Sequence, residues 1–173
     1  QQFQPWRFRI GQKIIGKERI PERIAIIYEG KVRLLGYDPR TQMPITLKLL
    51  EPGAILGEIS LLREVACETA IASTEVICLT ISVHDYLRLL NQYPGFARQR
   101  KNRCHVLEIF DVLGLQLAQR ANVGLNLKEV ADSALENAIV HNLPPGKNTL
   151  DQLDRERIWF VSGGGTIRNF APG

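Results

Sequence analysis

Hydrophobic and polar residues alternate through much of the first half of the chain. A period of two is seen over residues 24–28 and again over residues 32–34, and Glu29 and Gly30 between them are typical of a turn. The pattern therefore predicts a β-hairpin over residues 24–34. Roughly seven or eight short strands separated by turns predict a mainly β fold with some α, an antiparallel jelly roll (double-stranded β-helix). The further strands are predicted over residues 45–49, 69–71 and 76–81.

After Ser82 the apolar residues recur with a helical spacing. Ser82 and Asp85 form a capping pair for a short helix, and a longer helix near residues 100–120 carries an apolar stripe from Val106 to Leu117. This stripe is wide enough to pack on both the barrel and a partner subunit, although burial in the core alone is the alternative. A third, strongly amphipathic helix is predicted over residues 127–139, and Asn126 with Glu129 forms its start signature.

The end of the chain returns to a strand-like pattern. Residues 156–164 resemble residues 22–30, which predicts a second β-unit with a hairpin over residues 157–168, docked on the first barrel or on a neighbouring chain. The alternative is that the two segments resemble each other by chance, because strand–turn–strand patterns are common. The predicted organisation is a jelly roll over residues 1–92, a helical linker and dimerisation region over 93–141, and the truncated start of a second β-unit over 142–173.

Composition favours an ordinary folded domain: the chain has 173 residues, 45% of them hydrophobic and 23% charged, with a net charge of +4. No apolar run approaches the length of a membrane span, and the first residues show no signal-peptide pattern, so we expect no membrane insertion. Cys67, Cys78 and Cys104 are odd in number and lack a Cys-x-x-Cys spacing. They indicate reduced thiols in a cytoplasmic compartment and no zinc site.

Candidate catalytic chemistry is absent from the sequence pattern. His84, His105 and His141 lie far apart and outside the predicted barrel, without a nucleophile or carboxylate at a suggestive spacing. We therefore expect neither an enzyme nor a metal site. The one basic run comprises Arg98, Arg100, Lys101 and Arg103. It is either a solvated helix face or a patch for phosphate or an acidic partner, and it does not indicate a specific nucleic acid.

The most specific motif is Gly-Glu-Ile-Ser-Leu-Leu over residues 57–62, which follows a Pro-Gly turn and opens a helical turn. Glycine lets a ligand approach the backbone, N–H groups at a helix start attract phosphate, and the Glu58 carboxylate can accept hydrogen bonds from a ribose hydroxyl. These residues predict a sugar-phosphate pocket in a β-barrel. Alternatively, Glu58 simply caps the local helical turn.

This motif, with the turn at Gly30 and the strand over 76–81, resembles the cyclic-nucleotide-binding domain family across residues 8–92. In that family an arginine downstream clamps the cyclic phosphate. Here Ala66 or Cys67 takes its place, depending on a one-residue gap, and Glu68 stands beside it, while Arg63 is the one cation in the loop that could substitute.

The missing arginine implies phosphate binding weaker by about two to four orders of magnitude. We therefore expect a degenerate pocket, with no cofactor and with cAMP or cGMP bound only weakly if at all. The candidate pocket residues are Gly57, Glu58, Ile59, Ser60, Arg63, Ala66, Cys67 and Glu68.

Other segments resemble the N-terminal cytosolic regions of cyanobacterial ABC exporters of the haemolysin-type toxin or peptide secretion class; these are residues 3–9, 28–30, 34–41 and 67–76. The resemblance implies a regulatory domain of an ATP-driven transporter at the cytosolic face of the inner membrane. Its partners would be other domains of its own longer chain and, through the helix near 100–120, a second copy. Contact with the membrane would come only through the parent protein.

A Crp/Fnr-type transcription regulator is the alternative, because such proteins place a dimer helix and a helix-turn-helix after the same barrel. Residues 126–139 are similar to the first helix of such a motif. Residues 144–146, Pro-Pro-Gly, stand where the recognition helix should begin. This break argues against specific DNA binding.

Overall fold

The computed structural model describes residues 3–119, 124–143 and 153–160. Eight strands and five helices are found in these ranges. The strands are β1 (Gln4–Phe8), β2 (Lys13–Ile15), β3 (Arg23–Glu29), β4 (Val32–Asp38), β5 (Met43–Leu50), β6 (Ile55–Leu56), β7 (Thr69–Ala72) and β8 (Val76–Ser82). The helices are α1 (Glu58–Arg63), α2 (Val83–Gln92), α3 (Pro94–Lys101), α4 (Val106–Ala118) and α5 (Leu127–Leu135).

The strands form two four-stranded antiparallel sheets, in the orders β1-β8-β3-β6 and β2-β7-β4-β5. This arrangement confirms the predicted jelly roll. β3 is buried on both faces, since Ala25 and Ile27 lie in the core between the sheets while Ile24 packs with Tyr86 and Leu90 of α2. Burial on both faces explains why β3 is apolar at almost every position.

The predicted hairpin over residues 24–34 is wrong, because β3 and β4 lie in different sheets. Lys31 at the crossing donates its backbone N–H to Thr74 Oγ1 at 2.9 Å, and its carbonyl accepts the N–H of Ser73 at 2.8 Å. A period of two identifies strands but not their partners. The hairpin in this region is instead β4–β5, closed between Asp38 and Met43.

Two of the helices, α2 and α5, begin at the predicted capping residues. Ser82 accepts the N–H of Asp85 at the start of α2, and Asn126 accepts N–H groups at the start of α5. The expected helix near 100–120 is divided, since α3 ends at Lys101 and α4 begins at Val106. The third helix ends at Leu135 rather than at residue 139.

α4 packs directly on the barrel through Phe110, which is fully buried. A Cβ atom added to Gly36 of β4 would lie 2.8 Å from the Phe110 ring, so glycine is needed for this close approach. The apolar stripe of α4 thus covers the core, as one reading of the sequence predicted. Leu115, on another side of α4, is 61% exposed.

The predicted hairpin over 157–168 is wrong for its described part, because residues 157–160 form no strand. Arg157 instead donates to the carbonyl of Asn137 at 3.3 Å, and the indole of Trp159 donates to the carbonyl of Asp154 at 2.9 Å. Residues 161–168 of that hairpin lie outside the described residues. Across the described ranges, no helix has the length and apolar character needed to cross a bilayer.

Candidate functional site

Gly57 connects β6 to α1 and adopts a left-handed backbone conformation with φ of +85°. A side chain there would be strained, and its Cβ would lie 2.9 Å from Cγ of Pro21. Only glycine fits this turn comfortably. The turn leaves the first backbone N–H groups of α1 without partners inside the helix, as at the start of any helix.

Glu68 supplies the partners for two of these N–H groups. Its Oε1 accepts the backbone N–H of Gly57 and its Oε2 accepts that of Ser60, each at 3.0 Å, and the residue is 1% exposed. Burial raises the pKa of the Glu68 carboxyl, while both N–H donors act in the opposite direction by favouring the carboxylate. An acidic side chain of the chain itself therefore occupies the start of α1.

Ser60 ties the loop before β7 to the same helix. Its hydroxyl oxygen accepts the backbone N–H groups of Cys67 and Glu68, each at 3.2 Å. The Cys67 thiol lies 3.6 Å from this oxygen, and burial raises its pKa to about 11, so it is not a reactive thiolate. Neither Cys67 nor half-buried Ala66 brings a cation to the site.

Glu58 is held by two helices that follow the barrel. Arg100 of α3 donates through Nε to both carboxylate oxygens at 2.8 Å and through Nη2 to one of them, and the Tyr86 hydroxyl of α2 donates to the other. Glu58 is 1% exposed, and burial beside this carboxylate raises the pKa of Tyr86 well above its usual range. The Glu58 carboxylate is thus fully engaged with the α2–α3 region.

Arg63, at the other end of α1, is also buried and engaged. Its Nε lies 2.5 Å from Oε1 of Glu108, and its Nη1 and Nη2 donate to the carbonyls of Lys101 and Arg103 at 2.9 and 3.0 Å. The guanidinium therefore holds the connection between α3 and α4. It does not serve the start of α1, where a substitute phosphate ligand would be needed.

The structure brings together Gly57, Ser60, Cys67 and Glu68 of the predicted pocket, and it buries Ile59 in the same helix. Tyr86, Arg100 and Glu108 are the partners that sequence reasoning missed. Their distance along the chain gave no local signal, although Arg100 stood in the basic run that we singled out. In the described part of the chain, no group of three or more His, Cys, Asp or Glu residues could hold a metal ion.

The barrel strands and α2 match a known protein family. The profile of the family described as "Cyclic nucleotide-binding domain" matches residues 5–93, which is just over half of the chain. No match was found among curated proteins.

Several solved structures are similar. The catabolite activator protein of Thermus thermophilus is 27% identical, with a TM-score of 0.52 over 78% of this chain and 54% of the activator. The regulatory domain of Toxoplasma gondii protein kinase A, solved with cAMP, is 19% identical, with a TM-score of 0.51 over 57% of this chain and 38% of that one. This chain thus spans about half the length of the Thermus protein.

Proposed function

The chain belongs to the cyclic nucleotide-binding domain family, and we propose that it is a non-enzymatic regulatory domain with a degenerate nucleotide pocket. The observation that carries the proposal is the position of Glu68. Its carboxylate accepts the N–H groups of Gly57 and Ser60, which belong to the motif that a cyclic phosphate would use in this family. The protein thus supplies its own anion where the ligand's anion would bind.

Electrostatics supports the same conclusion. A cyclic phosphate entering the pocket would have to displace a buried carboxylate or lie beside it, and two like charges in a poorly solvated site repel strongly. Arg63 offers no compensation because Glu108 and two carbonyls engage it. Glu58, the group that would accept a ribose hydroxyl, is bound by Arg100 and Tyr86.

Isothermal titration calorimetry with cAMP and cGMP tests this proposal. We expect no binding in the micromolar range for either nucleotide. A micromolar Kd for one of them would overturn the proposed degenerate pocket.

For the parent protein, the sequence resemblance favours an ABC exporter of toxins or peptides, with this domain on the cytosolic side. Its partners would then be other domains of the same chain and a second copy bound through α4. The coding sequence after residue 173 tests this assignment. We expect a second β-domain, then membrane-spanning helices and an ATPase; a stop codon directly after residue 173 would defeat it.

A Crp/Fnr-type transcription regulator is the second candidate. It is favoured by the similarity to the Thermus activator, which covers 78% of this chain and so extends beyond the barrel. A gel-shift assay at low salt separates the two candidates. Preferential binding of one DNA sequence over others would support a transcription regulator. Weak and sequence-independent binding would support the exporter domain.

A further inference from the structure

We propose that the outer face of α3, formed by Arg98 and Lys101 together with Arg103 just beyond the helix, binds an acidic segment of a protein partner. The inference deepens the proposed regulatory function and rests on it. If the Glu68 carboxylate occupies the phosphate position of the nucleotide pocket, the domain needs another surface at which to receive or deliver a signal. α3 is the helix whose residues are bound to both ends of α1.

The cations of this face differ from the other basic residues around them. Arg63, Arg88 and Arg100 each form an ion pair with a carboxylate. Arg98, Lys101 and Arg103 are exposed, and none has an ion-pair partner among the residues that the structure describes. α3 itself contains no acidic residue. Three cations within six residues of the sequence therefore lack a neutralising carboxylate among the described residues.

A groove of about 370 Å³ runs beside two of these cations. Leu90, Pro94 and Ala97 give it an apolar part, and Arg98 and Lys101 give it positive charge. The carboxamides of Asn91, Asn102 and Asn142 also line it, and Nδ2 of Asn142 donates to Oδ1 of Asn102 at 2.7 Å. Its size falls in the range of small recognition sites.

This combination suits a peptide better than a nucleic acid or a free phosphate. Carboxylates pair with the arginine and lysine side chains, carboxamides bind peptide N–H and C=O groups, and the apolar part accepts an aliphatic side chain. No aromatic side chain is found among the groove's lining residues to stack on a base. A bare phosphate would leave the apolar part of the groove uncovered.

The position of the face connects it to α1. Arg100, between Arg98 and Lys101 in sequence, binds Glu58 at the start of α1, and the carbonyl of Lys101 accepts a hydrogen bond from Arg63 at its end. A partner that shifts α3 would act on both ends of α1. The proposed binding face and the nucleotide pocket therefore contact the same helix, α1.

Fluorescence anisotropy with a fluorescein-labelled peptide, in which glutamate pairs alternate with leucine, tests the proposal. We expect saturable binding that weakens as ionic strength rises. The combined variant Arg98→Gln, Lys101→Gln and Arg103→Gln should lose affinity by about tenfold or more. These side chains are exposed, so the variant should stay folded.

The matched control removes the same charge elsewhere, through Arg7→Gln, Arg33→Gln and Lys48→Gln on exposed barrel positions. It should bind the peptide within about twofold of the unmodified protein. An equal loss in both variants, or tighter binding of duplex DNA or phosphatidylglycerol vesicles than of the peptide, would overturn the inference. Nucleotide calorimetry is independent of this assay, so the two proposals can fail separately.

Discussion

Arg63 and Glu108 form a buried ion pair, with 2.5 Å between Nε and Oε1, that joins the last residue of α1 to the first turn of α4. Both side chains are less than 10% exposed. Because Glu108 also accepts the backbone N–H of His105 at 3.0 Å, the pair fixes the start of α4 as well as its contact with the barrel. α1 is thus bound to the helical region at the end farthest from Gly57.

Removing one partner of this pair should be costly. Arg63→Met leaves the Glu108 carboxylate buried and unpaired, and we expect a loss of about 3 to 5 kcal/mol in the free energy of unfolding. Urea denaturation measures it. Arg88→Met is the matched control, because its ion pair with Asp85 lies at the surface and should contribute less than about 1 kcal/mol. Similar losses of unfolding free energy in the two variants would contradict a buried ion pair between Arg63 and Glu108.

The second prediction restores nucleotide binding. The variant Cys67→Arg with Glu68→Ala removes the internal anion and adds a cation beside α1, so its affinity for cAMP should exceed that of the unmodified protein by about two orders of magnitude. Calorimetry checks the gain. Cys67→Ala with Glu68→Ala frees the N–H groups without adding the cation and should gain less. If neither variant binds cAMP better, Glu68 is not what closes the pocket.

The third prediction concerns the contact between α4 and the barrel. Gly36→Ala places a methyl group 2.8 Å from the Phe110 ring, and we expect a loss of about 1 to 3 kcal/mol in stability as α4 shifts. Thermal unfolding measures it. Gly95→Ala in α3 has open space around the new methyl group and should be neutral or slightly stabilising. A neutral Gly36→Ala would show that α4 does not pack as described.

The fourth prediction is a pH dependence that originates at His105. Burial lowers the pKa of its imidazole to about 4, whereas the ordinary value is 6.5, with Glu108 acting in the opposite direction and Arg103 in the same one. Between these values the unfolded chain binds the proton more readily, so stability falls as pH drops from about 6.5 to 4. Relative to His105→Gln, the protein should lose about 2 to 3 kcal/mol over this range.

Chemical denaturation at closely spaced pH values measures that difference. Other titrating groups are common to both proteins and largely cancel. Parallel pH profiles for the protein and His105→Gln would contradict a half-buried, neutral imidazole at this position.

Local patterns predicted β3, β4, β5, β7 and β8, the capping residues of α2 and α5, and the motif that begins at Gly57. They failed where the structure depends on long-range pairing. Residues 24–34 show the period of two expected for strands. However, backbone hydrogen bonds join Lys31 to Ser73 and Thr74 at the point where the chain passes from the sheet of β3 to the sheet of β4. Residues 156–160 resemble part of β3, yet residues 157–160 lack a pairing strand in the described structure.

Prediction of the pocket from the sequence was limited in the same way. The absence of a suitably placed arginine could be read from the sequence, and it indicated weak phosphate binding. The sequence could not predict that the Glu68 carboxylate accepts the N–H groups of Gly57 and Ser60. These atoms come together only when the loop before β7 is folded. The partners of Glu58 and Arg63 come from helices about 30 to 45 residues later, beyond the reach of any local pattern.

The pairing of β1 with β8 sets the order in which the barrel can be completed. Gln4 lies opposite Thr80, and Phe8 lies opposite Val76, so the first strand of the barrel in chain order cannot pair until the last one is available. Closing so long a loop late in folding is slow, and β1 stays unpaired until then. During synthesis this segment, with its exposed Trp6, can therefore pair with a wrong partner strand until β8 is in place.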